Sequence, residues 1–188
     1  EVLRGPFSAL YGNSSGGVIA IFTEQPPPGL QWQASLAAGS FGVRRTALKV
    51  SGGREARNFL VDVAHFETNG YRDHSAAQRN NFNSRMAIEL SGNSRLTLIA
   101  NLVQTPSVQD PLGLTQAQLS APEQAGTNAI AYNTRKSLQQ EQVGVTFDLH
   151  AGDGLDLAAL LYGGHRATTQ FQAIPQAAQA SPTHPGGV

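Results

Sequence analysis

The opening stretch, residues 1–24, reads EVLRGPFSALYGNSSGGVIAIFTE, and it decides which fold the rest of the chain can have. Glu1, Val2 and Leu3 begin extended. Arg4-Gly5-Pro6 follows, where proline presets φ and lacks an N–H, so the backbone turns or starts a new element. Ser8-Ala9-Leu10-Tyr11-Gly12 leads through a small polar turn to Gly16-Gly17, and Val18-Ile19-Ala20-Ile21 is a mostly β-branched run. Gly5, Gly12, Gly16 and Gly17 allow positive φ or close backbone approach. The sum predicts a tight strand–turn–strand piece, with Val18, Ile19 and Ile21 in an extended, buried strand. Arg4 is the residue suited to a specific polar contact.

Downstream the pattern changes. Gln25-Pro26-Pro27-Pro28-Gly29 stops both helix and ladder pairing, so residues 25–29 read as a linker. From Leu30 the residues alternate with period two. Leu30, Trp32, Ala34, Leu36 and Ala38 share one face, against Gln31, Gln33 and Ser35. Thr46, Leu48 and Val50 oppose Arg45, Ala47 and Lys49. Phe59, Val61 and Val63 alternate with Asn58, Asp62 and Ala64. Phe82, Met86, Ile88 and Leu90 oppose Asn81, Asn83, Arg85 and Glu89. Leu96, Leu98, Ala100 and Leu102 form one face of a fifth strand. Val143, Val145, Phe147 and Leu149 form one face of a sixth, and a seventh begins at Leu155.

Turns are expected at residues 39–42, 51–55, 91–94 and 151–154, and longer connections around residues 69–74 and 105–136. Strands of about nine to eleven residues are the length a tilted strand needs to cross a bilayer. Short turns fall mainly at one end and long loops at the other, as in outer-membrane barrels. Alternation alone equally fits an antiparallel sheet with one solvated side.

Composition narrows the function classes. Thirteen basic and thirteen acidic residues give zero net charge, which speaks against a nucleic-acid partner. Cysteine is absent, so disulfides and thiolate metal sites are excluded. No run of eighteen apolar residues offers a membrane helix, although β-barrels carry a weaker signal per segment. The extended start and the loop-like HPGGV end suggest an internal piece of a longer protein.

The pattern LRGPxSxLYGxxxGGVIxI in residues 3–21 resembles the end of the plug domain of TonB-dependent outer-membrane receptors. The resemblance implies an all-β fold: an antiparallel meander forming part of a transmembrane β-barrel, with the end of a plug. Residues 1–24 would end the plug, 25–29 link, and 30–188 supply about seven of the barrel's strands; complete barrels of this type have about twenty-two. The plug motif would comprise Arg4, Gly5, Pro6, Tyr11, Gly12, Gly16 and Gly17.

The implied function is active uptake of a ferric siderophore or similar metal complex across the outer membrane of a Gram-negative bacterium. A TonB complex would act through an N-terminal region outside this sequence. Outer-membrane lipid is the other expected partner, and no nucleic acid, cofactor or enzymatic step is expected. Arg45, Lys49 and Arg85, on the polar faces, are candidates for plug-to-wall contacts.

Tyr71-Arg72-Asp73-His74 is an outward-loop stretch that could touch a ligand, and family members carry a similar GYRD-like stretch at this point. More simply, Tyr71 fits an interfacial aromatic girdle and Arg72 pairs locally with Asp73. Residues 110–119 suggest a turn and one or two helical turns within a long ordered loop. The alternatives are a passive porin-like barrel and a soluble β-sandwich binding module.

Catalytic and metal motifs do not hold up. Gly12-Asn13-Ser14-Ser15-Gly16 has the G-x-S-x-G spacing of a nucleophile elbow, but a strand-like run follows it where a helix is required. No Gly-Lys-Ser/Thr follows for phosphate binding. His65, His74, His150, His165 and His184 are not at metal-ligand spacing.

Overall fold

Period-two alternation becomes one continuous antiparallel meander. The computed structural model describes residues 2–5, 16–20, 23–120, 124–152, 154–174, 180–181 and 184–185. Seven strands pair in sequence order: β3 (Gly29–Gly39), β4 (Val43–Arg54), β5 (Arg57–Thr68), β6 (Ala77–Ser91), β7 (Ser94–Gln109), β8 (Arg135–His150) and β9 (Asp156–Phe171). Two small antiparallel pairs flank them. Val2–Arg4 (β1) pairs with Gly17–Ile19 (β2), and Ala180–Ser181 (β10) with His184–Pro185 (β11).

The expected strand–strand pairing within residues 1–24 is therefore present on the described residues. Its glycine is needed: at Gly17, with φ +147°, a Cβ would lie 2.7 Å from the Leu3 carbonyl oxygen. Ile19, expected to be buried, is 74% exposed. It occupies the last position of a two-strand ribbon, which has no second layer to cover it. Pro6, Tyr11, Gly12 and Ser14 lie outside the described residues.

Register sorts the seven-stranded sheet into two chemically distinct faces. One row runs Trp32, Val50, Val61, Ser84, Ala100, Val143 and Gly163; the next runs Ala34, Leu48, Val63, Phe82, Leu102 and Glu141. The opposite face carries the row Gln33, Lys49, Asp62, Asn83, Asn101, Gln142 and Gly164. Among the described residues no second sheet packs on either face.

The apolar side chains stay uncovered, with Trp32 75%, Leu36 83% and Leu161 75% exposed. Leu60, Ala87, Ser51 and Thr97 are buried, and all four lie on the polar face. In a single layer only neighbouring side chains or a crossing segment can cover a residue. The polar face thus holds most of the buried strand residues, on the side where the N-terminal segment crosses.

Several boundaries differ from expectation for identifiable reasons. The turn expected at residues 51–55 is the two-residue Glu55-Ala56, because Gly52 and Gly53 stay paired with Phe59 and Asn58. The Phe59 ring, 3.3 Å from where a Gly52 Cβ would stand, covers the gap that glycine leaves. Strands β6 to β9 have 15, 16, 16 and 16 residues, longer than a bilayer requires.

The extra length is polar ladder. On the apolar face the rows beyond the belt hold Arg44–Glu67 (3.4 Å), His65–Asn80 (2.6 Å), Gln104 and Gln139. From Phe82 to Leu90 the apolar belt runs roughly 27 Å along β6 at about 3.3 Å per residue. The region from Gln170, expected to be loop, holds the end of β9 and the pair β10–β11.

Gly164 on β9 packs its backbone against β8 so closely that a Cβ would stand 2.3 Å from the Glu141 carbonyl oxygen, while Gly163 has nothing within 4 Å. Gly164→Ala should destabilise the β8–β9 pairing by about 1–3 kcal/mol, and Gly163→Ala should be close to neutral. Denaturant midpoints of the two variants check this; equal midpoints would contradict it.

Candidate functional site

The candidate residues fall into two groups. The first lies on the polar face. Arg45, Lys49 and Arg85 all stand on it, at register positions facing Phe66, Asp62 and Leu60. Lys49 Nζ donates to Glu24 Oε2 at 2.8 Å, and the lysine side chain is only 27% exposed. Glu24 belongs to the N-terminal segment. A methyl group at Gly53 would come 3.6 Å from the Pro27 carbonyl oxygen. Glu24 beside Lys49 and Pro27 beside Gly53 set the segment alongside β4 on the polar face, before Gly29 (φ +79°) reverses it into β3.

Arg85 Nη1 donates to Asn58 Oδ1 at 3.0 Å, and Asn83 Nδ2 to Asp62 Oδ1 at 3.3 Å. Arg45 is exposed. Arg4 is exposed as well and forms no ion pair with another described residue. Asn58, Asp62, Asn83, Asn101 and Gln142 complete the polar set. Sequence reasoning placed Asn58, Asp62, Asn83 and Gln142 on polar faces without giving them a role. The signal for one is their common register with Lys49 and Arg85, which needs the pairing as well as the period.

The second group sits at the long-loop end. Tyr71 packs edge-to-face on Phe41 of the β3–β4 turn, centroids 5.1 Å apart. Asn69 N and Thr68 Oγ1 both donate to the Phe41 carbonyl, at 2.8 and 3.2 Å. The expected Arg72–Asp73 pair is absent; Asp73 is exposed. Arg72 instead crosses to the loop of residues 110–134, donating from Nε to the Gln124 carbonyl (3.1 Å) and from Nη2 to the Pro111 carbonyl (3.2 Å). A planar guanidinium can reach two acceptors at once, whereas Asp73 next to it in sequence points elsewhere.

His74, with φ +57°, places Nε2 2.8 Å from the Thr134 carbonyl. A carbonyl only accepts, so Nε2 carries the proton. Thr134 is 1% exposed, and its hydroxyl donates to the Asp110 carbonyl at 2.6 Å.

Within this loop the expected helical turns near residue 119 are a single 3-10 turn, Gln118–Ser120. A six-residue helix that the sequence reading missed, α1 (Thr127–Tyr132), follows; Asn133 ends it in the left-handed region at φ 48°. The loop returns to the sheet at Arg135, as expected, where the guanidinium stacks 3.7 Å over the Phe171 ring.

Nothing in these groups resembles a reaction centre. Among the described residues no three His, Asp or Glu side chains come together to hold a metal ion. Among the described residues no helix is long and apolar enough to cross a membrane. No family model matches the chain. The arrangement offers a polar wall carrying a crossing segment, and a stitched pair of loops at its rim.

Two predictions follow from these contacts. Arg72→Ala should speed amide exchange at Gly126, Ala129 and Thr134 by about ten- to a hundred-fold, since hydrogen bonds from a charged donor are lost. Exchange at Thr97 and Leu98 in the sheet should not change, and an unaltered loop would refute the stitch.

At the opposite end, His150 Nδ1 lies 2.7 Å from Asp156 Oδ1 across the β8–β9 turn. This hydrogen bond and the carboxylate's charge raise the His150 pKa above its ordinary 6.5. The pair's support for the turn is therefore full below pH 6.5 and fades as pH rises through the higher folded value. An NMR titration should find His150 above 6.5 in the parent chain and back near it in Asp156→Asn.

Proposed function

We propose that the chain is wall and plug end of a TonB-dependent outer-membrane receptor that takes up a ferric siderophore or similar metal complex. The observation that carries this reading is the segment of residues 23–28 lying on the polar face of a sheet whose other face is apolar and uncovered. A water-soluble protein rarely leaves an apolar field of this extent open. Lipid hydrocarbon is the solvent that suits it; β4 to β8 are paired on both sides, as the bilayer demands of backbone groups within it, and the outer edges of β3 and β9 are left for further strands of the wall.

In this reading the wet, polar face looks into the barrel. The plug enters the wall through the proline linker, and Lys49–Glu24 holds the joint. The stitched loops face outward, where the ligand arrives. Motion of the plug, driven through a TonB complex, opens the path; no covalent step is involved. A soluble β-sandwich has no support, because no second sheet covers the first among the described residues.

In the full-length protein, Lys49→Glu should leave membrane insertion intact and lower uptake of an iron–siderophore complex several-fold, by breaking the Lys49–Glu24 ion pair and setting two carboxylates together. The exchange pair Lys49→Glu with Glu24→Lys should restore much of it. Wild-type uptake in Lys49→Glu would remove the joint from the mechanism. Steady ion conductance of the intact protein in planar bilayers would instead favour an open porin.

A further inference from the structure

We propose that Arg54 and Arg57, with the groove beside Gly52, hold an anionic phospholipid of the leaflet at the short-turn end. The inference rests on the membrane-wall reading above. Arg54 and Arg57 are direct cross-strand partners at the last position of the β4–β5 pairing. Like charges set directly opposite each other destabilise a ladder, so the hairpin closes on a repulsion.

Glu55 answers it in part, with Oε1 3.7 Å from Arg54 Nε. That pair is weak: the side chains are 91% and 84% exposed, and Glu55 sits in the left-handed region at φ 48°. Two guanidinium groups facing one another are a ready site for a phosphate, which each can grip with paired N–H donors.

Their position on the sheet says which phosphate. Both arginines belong to the apolar face, in phase with Phe59, Val50 and Ile88. A groove of about 680 Å³ runs from them past Leu30, Gly52 and Phe59 towards the belt. Leu30, 74% exposed, and the Phe59 ring beside Gly52 give it an apolar lining. The other described charged strand residues at this end, Glu89–Arg95, Asp148 and the His150–Asp156 pair, stand on the polar face and do not compete.

A free anion would have no use for the apolar groove, and a bare acyl chain none for the arginines. A lipid with a negative headgroup uses both: the phosphate between the guanidiniums, the first part of a chain along Leu30 and Phe59. It also removes the repulsion that the register builds in.

The test uses the full-length protein, folded into vesicles of phosphatidylcholine alone or mixed with phosphatidylglycerol, then extracted in mild detergent and weighed with its retained lipid by native mass spectrometry. The parent should retain phosphatidylglycerol over phosphatidylcholine by about ten-fold. R54Q/R57Q should fall to near parity, while R44Q, at the far end of the same face, keeps the preference.

A parent without preference, an R54Q/R57Q variant that keeps it, or displacement of the lipid by equimolar inorganic phosphate each overturns the site. Stable integration into vesicles with no preference overturns this inference alone. Failure to integrate into either vesicle brings down the membrane-wall reading and the site with it.

Discussion

A single layer of β-sheet cannot bury its own apolar side. Every other feature of this chain follows from that constraint. Strands β3 to β6 turn mostly Gln, Asn, Lys, Arg and Asp to one face and mostly Leu, Val, Phe and Trp to the other, and the register continues both faces through β7 to β9, where Ile99, Leu160 and Tyr162 join the polar face and Glu141 and His165 the apolar one. The ladder satisfies the backbone of β4 to β8 on both sides, but among the described residues no second layer covers the outward side chains. The fold is therefore incomplete without an apolar environment, and the polar rim of Arg44, His65, Asn80 and Gln104 marks where that environment must end on one side.

The same constraint explains why the N-terminal segment matters beyond its length. Placed on the apolar face, residues 23–28 would carry Glu24 and a run of unpaired carbonyls into a greasy surface. On the polar face, Glu24 finds Lys49 and the prolines lie along β4 without needing ladder bonds. Gly29 makes this possible, because the reversal into β3 uses φ +79°, which a side chain would resist. Residues 25–29 are thus a hinge with a defined side, and the ion pair adds a fixed point just before it.

The sheet was largely legible from the chain. Period two assigned the strands from Leu30 to Leu161 and the apolar face of each, because one residue of slip would put Lys49 and Asp62 among Trp32 and Val61. What escaped had local causes. Gly52-Gly53 looked like a turn because their partner Phe59 lies in the next strand, and only pairing reveals that its ring covers the gap. The polar extension of β7 to Gln109 looked like loop because polarity on both faces carries no period.

Helix α1 was hidden because its six residues, TNAIAY, are held by Thr134 and the Arg72 stitch and have little helix propensity of their own. Arg72 and His74 were found as candidates, but their partners were not. Those partners are backbone carbonyls 39 to 60 residues away, which leave no trace in residue identity.

That last fact has a consequence for how the rim can work. Arg72 and His74 recognise the main chain at Pro111, Gln124 and Thr134, and Thr134 in turn recognises the main chain at Asp110. A carbonyl is offered by every residue type, so the loop of residues 110–134 can exchange most of its side chains and still dock in the same place. Leu119, Ile130 and Tyr132 stand 56%, 59% and 52% exposed on that docked frame. Shape is held by one set of atoms and surface chemistry by another.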